Sequence, residues 1–305
     1  ATPGGIDSHV HLGYSSRLMP VALSAGLTTL IGAGLNTNGR FTIQAYFEAF
    51  EGIPLNLGVQ AIGSATNTAP MIESLEAGAC GFKIHEDAGG YPYVIDVCLQ
   101  VADQYDVSVA LHTDGLNESM QVSDTIDAIG GRAVHAYHVE GAGGGHAPDV
   151  LRLAGVDNII TSSTTPTIPY GVGTYQEHFP MTRESHGMNI SLASDEGALA
   201  ERLRRSTMAA EDVLHDMGAI PIVNSDSQGM GRIGEVISRT WQLAHKMKRE
   251  RGASDPEHDN DRILQYLAKY TINPAVTHGI ASYVGSLEPG KMADIVLWRP
   301  AFFGV

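Results

Sequence analysis

The 305-residue sequence predicts an α/β protein whose main part is a closed barrel of eight parallel strands covered by helices, a (β/α)8 TIM-like barrel. Short β-rich segments alternate with helical ones along the chain, and this alternation is typical of parallel strands joined by helices. Eight such β-rich segments occur, which is the number of strands that closes this barrel. Barrels of this type commonly take about 250 residues or more as one domain, so the length fits one barrel with a short addition.

Each predicted strand is a run of four to six mainly apolar or β-branched residues. The strands are expected over residues 6–11, 28–31, 55–60, 81–85, 107–112, 133–138, 158–162 and 221–224. Helices are expected over 71–77, 93–105, 123–128, 147–154, 210–217 and 231–251. The segment between the seventh and eighth strands, about 163–220, is long. We expect it to form a flap over one barrel face, since such loops often act as lids.

The last residues of the chain are predicted to leave the barrel. Residues 285–291 form a turn that contains glycine and proline, and the apolar run 293–298 is predicted as a strand outside the barrel. We therefore assign residues 1–284 to the barrel and 285–305 to a separate segment. At the other end, the chain begins at Ala1 without a methionine and enters a strand almost at once. We expect it to be part of a longer protein.

Composition limits the classes of partner and compartment. The formal net charge of -15 argues against nucleic acid or an anionic membrane surface as a partner, since no basic stripe is present to replace counterions. The two cysteines, Cys80 and Cys98, form no metal-ligand or disulfide pattern, which fits a reducing compartment. We find neither a signal peptide nor an apolar run long enough to span a bilayer, so no membrane partner is expected.

The pair His9 and His11 is the first sign of chemistry. Residues two apart on a strand point to the same face, so two imidazoles at this spacing can bind one ion. Neutral imidazole is the commonest metal ligand. The alternative is that two of the thirteen histidines fall at this spacing by chance.

Further polar residues of ligand type stand at the ends of other predicted strands, where the active sites of barrels form. They are Lys83, His85, His112, His138 and Asp226. A single histidine on an apolar strand is more often a hydrogen-bonded core residue than a ligand. The concentration of all these residues at strand ends favours a metal centre.

Four imidazoles and one carboxylate can divide between two divalent ions, but two adjacent cations repel each other and require an anionic bridge. Lys83 cannot be that bridge as an ammonium ion. If neighbouring cations depress its pKa, the free amine can add carbon dioxide and become a carbamate that bridges both ions. The alternative for Lys83 is a buried salt bridge with Glu86 or Asp87.

With these residues in place, the chain resembles the catalytic barrel of the urease large (alpha) subunit, within the metal-dependent amidohydrolase superfamily. The resemblance covers nearly the whole chain. It is carried by GIDSHVH (5–11), GFKIHED (81–87), VALHTD (109–114), NES (117–119), HVEGAGGGHAPD (138–149), AAEDVLHDMG (209–218) and NSDSQGMGR (224–232). The His-x-His pair and the lysine mark the superfamily, whereas residues 83–87 and the glycine-rich loop are much more specific to urease.

The resemblance implies a dinuclear nickel site that hydrolyses urea with water to ammonia and carbamate. Lys83, carbamylated by carbon dioxide, would bridge the two Ni²⁺ ions. His112 and His138 would complete the ligand set of one ion, while His9, His11 and Asp226 would complete the ligand set of the other. Imidazole and carboxylate also suit zinc, iron and cobalt, so the choice of nickel rests on the resemblance.

The same resemblance implies the substrate contacts and the proton donor. His85 would donate to the carbonyl oxygen of urea, and the Gly143 carbonyl would accept from a urea amide. The run 141–145 lacks the Lys-Ser/Thr of a phosphate loop, so a phosphate cradle is disfavoured. His186 would protonate the leaving ammonia, oriented by Asp87 and assisted by Arg202.

The sequence departs from the family at two places. Ser185 stands where the family usually has a cysteine beside the flap histidine, and the stretch between residues 35 and 51 lacks the family's Gly-Thr-His-Ala-Thr segment.

The resemblance implies that 285–305 begins a small β-sandwich domain. It also implies small beta and gamma subunits, a trimer-based assembly, accessory proteins for nickel insertion, and a cytoplasmic location.

Two other functions stay open on the sequence. One is a urease-like or cyclic-amide amidohydrolase, such as a hydantoinase-type enzyme on zinc, that acts on another small amide. The other is a catalytically silent paralogue retained for assembly, which predicts a broken set of metal ligands. Every expected ligand is present in this chain.

Overall fold

The computed structural model describes residues 1–14, 17–34, 37–85, 89–112, 121–141 and 149–299. Its centre is a barrel of parallel strands. In chain order the strands are β1 (Thr2–Pro3), β2 (Gly5–Val10), β3 (Leu27–Gly32), β4 (Asn56–Val59), β5 (Ala61–Ile62), β6 (Gly81–Ile84), β7 (Ser108–His112), β8 (Val134–Tyr137), β9 (Ile159–Thr164), β10 (Ile222–Asn224) and β11 (Ile295–Val296).

The barrel consists of two parallel sheets that meet at both edges. One has the order β2-β3-β4 and the other β5-β6-β7-β8-β9-β10. Only Gln60 separates β4 from β5, and its amide N–H donates to the Gly32 carbonyl, so the two segments act as one barrel strand. At the other edge, Val10 pairs in parallel with Ser227, and the N–H of His11 donates to the Ser227 carbonyl at 3.0 Å. The predicted eight-stranded barrel is confirmed.

Helices surround the barrel. They are α1 (Leu18–Ser24), α2 (Gly39–Phe50), α3 (Thr68–Glu76), α4 (Pro92–Tyr105), α5 (Val122–Ile129), α6 (Thr174–Ser185), α7 (Ala193–Arg202), α8 (Arg205–Asp216), α9 (Val236–Arg251), α10 (Asn260–Ala268) and α11 (Ile272–Thr277). The predicted helix at 147–154 is wrong in type, because its described part, Asp149–Gly155, is a 3-10 helix. The predicted helix at 231–251 begins later, at Val236, after a 3-10 turn over Ile233–Glu235.

Alternation along the strands separates the core from the barrel interior. On β6, Phe82 and Ile84 belong to the apolar cluster that packs under the helices, while Lys83 between them contacts the ring of Tyr137 instead. A second apolar cluster joins β2, β3 and β10 to the C-terminal helices and includes Trp241 and Tyr270. The apolar layer thus lies outside the strands, and polar side chains occupy the inside.

Two segments lie beside the barrel. Between β9 and β10 the chain forms a 3-10 turn (Thr165–Thr167) and helices α6, α7 and α8. The role of this segment as a flap stays a prediction. Near the end of the chain, β11 pairs antiparallel with β1, and Trp298 Nε1 donates to the Thr2 hydroxyl at 2.8 Å. The assignment of 285–305 to a further domain also stays a prediction.

Across the described ranges, none of the helices has the length and apolar character needed to cross a membrane.

Candidate metal centre

Three buried side chains meet at the carboxyl ends of β2 and β10. His9 is the fifth residue of β2, His11 follows that strand, and Asp226 comes two residues after β10. The Nε2 atoms of both histidines lie 3.1 Å from the same oxygen, Oδ1 of Asp226. One ligand atom from each of the three lies within 4.8 Å of the others. This is a fitting donor set for a divalent ion, since imidazole nitrogen and carboxylate oxygen both bind such metals.

A second pair of imidazoles lies beside this group. His112 ends β7 and His138 follows β8, and their ring centres are 4.4 Å apart at 83°. The His138 ring centre is 5.7 Å from that of His9. His85, directly after β6, stacks on His112 with centres 3.7 Å apart. The structure therefore brings together all the predicted histidine ligands and the predicted substrate residue His85.

Lys83 lies within the same interior and is 1% exposed. Its Nζ has no hydrogen-bond partner among the described residues and lies 3.7 Å from the centre of the Tyr137 ring. Burial lowers the pKa of the lysine well below its usual value, although the charge of Asp226 opposes that shift. The alternative partners Glu86 and Asp87 lie outside the described residues. A buried amine that has no partner within the described part of the chain fits a group that binds a further ligand or carries a modification.

Burial keeps three of the imidazoles uncharged. It lowers the pKa of His9 and His112 well below the usual value and that of His138 to about 3. For Asp226, burial alone would raise the pKa, but His9 and His11 outweigh it and hold the pKa below its usual range. At neutral pH His9, His112 and His138 are therefore neutral and Asp226 is ionised, the protonation states in which these groups bind metals. Both nitrogens of His138 lack a hydrogen-bond partner within the described part of the chain.

Asp7, Ser225 and Tyr137 support the ligands and were missed by the sequence analysis. Oδ1 of Asp7 accepts hydrogen bonds from the backbone N–H groups of His9 at 3.2 Å and Ser225 at 3.0 Å. This carboxyl joins the two strands that carry the first ligand group. Asp7 lies two residues from His9, and Tyr137 lies beside His138, so proximity to ligands was the signal available in the sequence.

A cavity of about 150 Å3 opens onto these residues. Its described lining consists of His9, His11, His85, His112, Ser185, His186, Asp226, Gln228, Gly229 and Met230. His186 directly follows α6, and its Nδ1 lies 2.9 Å from the Thr182 carbonyl oxygen. If Nδ1 carries the proton and donates to that carbonyl, Nε2 is the basic nitrogen of the ring. The structure thus places the predicted proton donor in the same cavity as the ligands.

Three other predicted site residues remain. Arg202 is the last residue of α7, is half-buried, and is not among the described lining residues. Asp87 and Gly143 lie outside the described residues. Their roles stay predictions.

The fold and this site define a (β/α)8-barrel protein with a candidate centre for divalent metals at the carboxyl ends of its strands. The chain belongs to the amidohydrolase family, whose model matches residues 1–305.

Two curated relatives are similar over the whole chain. A protein named urease subunit alpha from Haloquadratum walsbyi is 53% identical over 315 residues, which cover 100% of this chain and 55% of the relative. Urease subunit alpha 1 from Streptomyces avermitilis is 51% identical over 311 residues, covering 100% of this chain and 56% of the relative. The chain therefore spans about half the length of these curated relatives.

Solved structures support the fold. A D-hydantoinase (dihydropyrimidinase) from Thermus sp. superposes with a TM-score of 0.66 at 15% identity, covering 95% of this chain and 74% of that one. A dihydropyrimidinase from Brevibacillus agri gives a TM-score of 0.64 at 14% identity, with 96% and 74% covered. At this identity the likeness concerns the fold alone.

Proposed function

We propose that this chain is the catalytic barrel of a urease, which hydrolyses urea to ammonia and carbamate. The observation that carries the proposal is the meeting of His9, His11 and Asp226 beside the buried amine of Lys83, which has no hydrogen-bond partner among the described residues. Identity above 50% to two proteins named urease subunit alpha favours urea over other amides. The likeness to a hydantoinase is confined to the fold, at 15% identity.

Two Ni²⁺ ions are the proposed cofactors, and Lys83 is their proposed bridge. His9, His11 and Asp226 would hold one ion, and His112 and His138 the other. The neutral Nζ of Lys83 would attack the carbon of carbon dioxide, forming an N–C bond and releasing one proton to solvent, so that a carbamate anion replaces the amine. This conversion explains why a lysine is buried here without an acidic partner among the described residues.

Bound ions would supply Lewis acidity toward the urea carbonyl and acidify a water molecule, as divalent metals do in hydrolases. Residues of the chain would bind urea and transfer the proton. His85, at the cavity wall, would donate to the urea oxygen, and the Gly143 carbonyl would accept from an amide N–H. His186 would deliver a proton to the leaving nitrogen from the cavity side of α6. Asp87 and Arg202 would orient and assist this histidine.

The proposal extends to assembly and location. Both relatives are named as a subunit alpha, which supports a place for this chain in a complex of several subunits. Smaller beta and gamma subunits and a trimer-based assembly are part of the proposal. Accessory proteins would insert nickel and promote carbamylation of Lys83. We place the protein in the cytoplasm, with urea and water as its small-molecule partners.

The test is substrate turnover by the full-length protein loaded with nickel in the presence of bicarbonate. Ammonia release from urea, without ring opening of hydantoin, is the expected result. Loading with zinc instead of nickel provides the matched control for metal identity. Turnover of hydantoin but not of urea would contradict the proposal and favour a cyclic-amide hydrolase.

A further inference from the structure

Tyr137 contacts both halves of the candidate metal centre. Its ring stacks on the His9 imidazole, with ring centres 3.8 Å apart and 17° between the planes. The Nζ of Lys83 lies 3.7 Å from the centre of the same ring. Tyr137 is fully buried, ends β8 and directly precedes His138. One aromatic ring therefore contacts both the proposed bridge and a ligand of the proposed first ion.

The hydroxyl group anchors this ring at its other end. Tyr137 Oη donates to the Ser8 carbonyl at 2.6 Å and lies 3.2 Å from Oε1 of Gln60. Ser8 precedes His9 on β2, and Gln60 links β4 to β5. The phenol thus connects β8 to two other barrel strands, one of which carries His9.

The ring is also fixed from the side. His135 lies two residues before Tyr137, on the same face of β8, and packs edge-on against it with ring centres 4.6 Å apart at 87°. His135 is in turn 3.3 Å from His278, Nδ1 to Nε2, and Ser108 Oγ is 3.1 Å from Nδ1 of His278. These contacts leave the Tyr137 ring little freedom to turn, so that it offers a fixed surface to His9 and Lys83.

We propose that Tyr137 is a positioning residue of the metal centre, whose ring holds the His9 imidazole and the Lys83 side chain in place before an ion binds. The inference rests on the proposed function, since it takes His9 and Lys83 as ligands. A lysine has four rotatable side-chain bonds, and fixing them costs entropy at the moment of binding unless the chain is already ordered. Mutation of residues that orient metal ligands, most often through hydrogen bonds, typically lowers metal affinity by about 10- to 100-fold.

The test compares Tyr137→Leu with Tyr137→Phe in the full-length, metal-free protein. Ni²⁺ affinity is measured by titration calorimetry in bicarbonate buffer. Tyr137→Leu removes the ring and is expected to weaken Ni²⁺ binding by about 10- to 100-fold. Tyr137→Phe keeps the ring and is expected to weaken Ni²⁺ binding by less than about tenfold. Rescue by the conservative variant places the effect in the ring rather than in the hydroxyl.

Tyr270→Leu is the matched control for a general loss of packing. Tyr270 is also fully buried, and its hydroxyl accepts from Trp241 Nε1 at 3.1 Å in the second apolar cluster. This variant is expected to lower the unfolding temperature while keeping the wild-type Ni²⁺ affinity. Wild-type affinity in Tyr137→Leu, equal weakening in Tyr270→Leu, or a Tyr137→Phe variant as weak as Tyr137→Leu would each overturn the proposal.

Failure of the proposed function is separable from failure of this inference. A wild-type protein that binds Ni²⁺ but releases no ammonia from urea contradicts the proposed function, while the affinities of the Tyr137 variants still decide the inference. A wild-type protein that binds no Ni²⁺ overturns both.

Discussion

Oδ1 of Asp226 lies 3.1 Å from Nε2 of His9, although the two residues come from the last and first strands of the barrel. The contact exists because the barrel closes between β10 and β2, through Val10 and Ser227. The pairing that closes the barrel therefore also brings Asp226 to His9 and His11. The following predictions start from this relationship.

Asp226→Asn is expected to weaken metal binding while the chain still folds. The amide keeps the shape of the side chain but loses the anionic oxygen that both His9 and His11 face. We expect the content of bound nickel to fall from two ions per chain to about one or fewer, and urea hydrolysis to fall by at least about 100-fold. Elemental analysis of the dialysed protein measures the first effect. Full nickel content in this variant would contradict the assigned ligand set.

His186→Ala is expected to impair proton delivery without affecting the ligands. Its side chain lines the cavity but belongs to the end of α6 rather than to a barrel strand. Removal of a general acid typically lowers kcat by about 100- to 10,000-fold. Steady-state kinetics should show this loss while nickel content stays at the wild-type value. A kcat close to that of the wild type would exclude His186 as the proton donor.

Ser185→Cys is expected to introduce sensitivity to thiol reagents. Ser185 lines the cavity, so a thiol there is accessible from the substrate side. The native cysteines are poor targets because burial raises the pKa of the Cys80 thiol to about 12 and that of Cys98 still further. Urea hydrolysis after incubation with iodoacetamide should be lost in the variant and retained in the wild type. Equal inactivation of both proteins would show that the reagent acts elsewhere.

Glu211→Gln is expected to stabilise the protein at alkaline pH. Burial raises the pKa of Glu211 from 4.5 to about 8, so the folded state holds a proton that the unfolded state releases between these values. The contribution of this group to stability is therefore present below about pH 4.5 and is lost as pH rises toward 8. At pH 8 we expect the glutamine variant to be more stable by about 1–3 kcal/mol.

Denaturation at several pH values measures the free energy of unfolding of the Glu211→Gln variant and of the wild type. Guanidinium is used as the denaturant because urea is the proposed substrate. The advantage of the variant should shrink as the pH falls toward 4.5. A constant difference between variant and wild type over this range would show that Glu211 is not protonated in the folded state.

The strands and the ligands were predictable because side chains along a strand alternate between its two faces, with a period of two residues. Lys83 is a single polar residue between Phe82 and Ile84, which pack in the apolar layer, so its inward direction follows from alternation. His9 and His11 follow the same rule. Eight such strands determine a barrel, and a barrel brings the carboxyl ends of its strands to one face.

Six of the helices in the described part of the chain were not predicted from the sequence. Helix α6 contains Pro180, and α7 buries only Leu199 among its described residues, so neither shows a clear apolar stripe. Helices α1, α2, α10 and α11 were also not predicted. Tyr137 looks like an ordinary core aromatic residue in the sequence. Its contacts with His9 and Lys83 depend on how β2, β6 and β8 stand around the barrel.

The most direct test of the central claim is carbamate formation at Lys83 together with nickel content and urea turnover. The wild-type protein, loaded with nickel in 13C-labelled bicarbonate, should bind two ions per chain, show a labelled carbamate carbon, and release ammonia from urea. Lys83→Ala should lose the labelled signal, the full nickel content and the turnover together. Urea hydrolysis that is unchanged in Lys83→Ala would contradict the bridging carbamate.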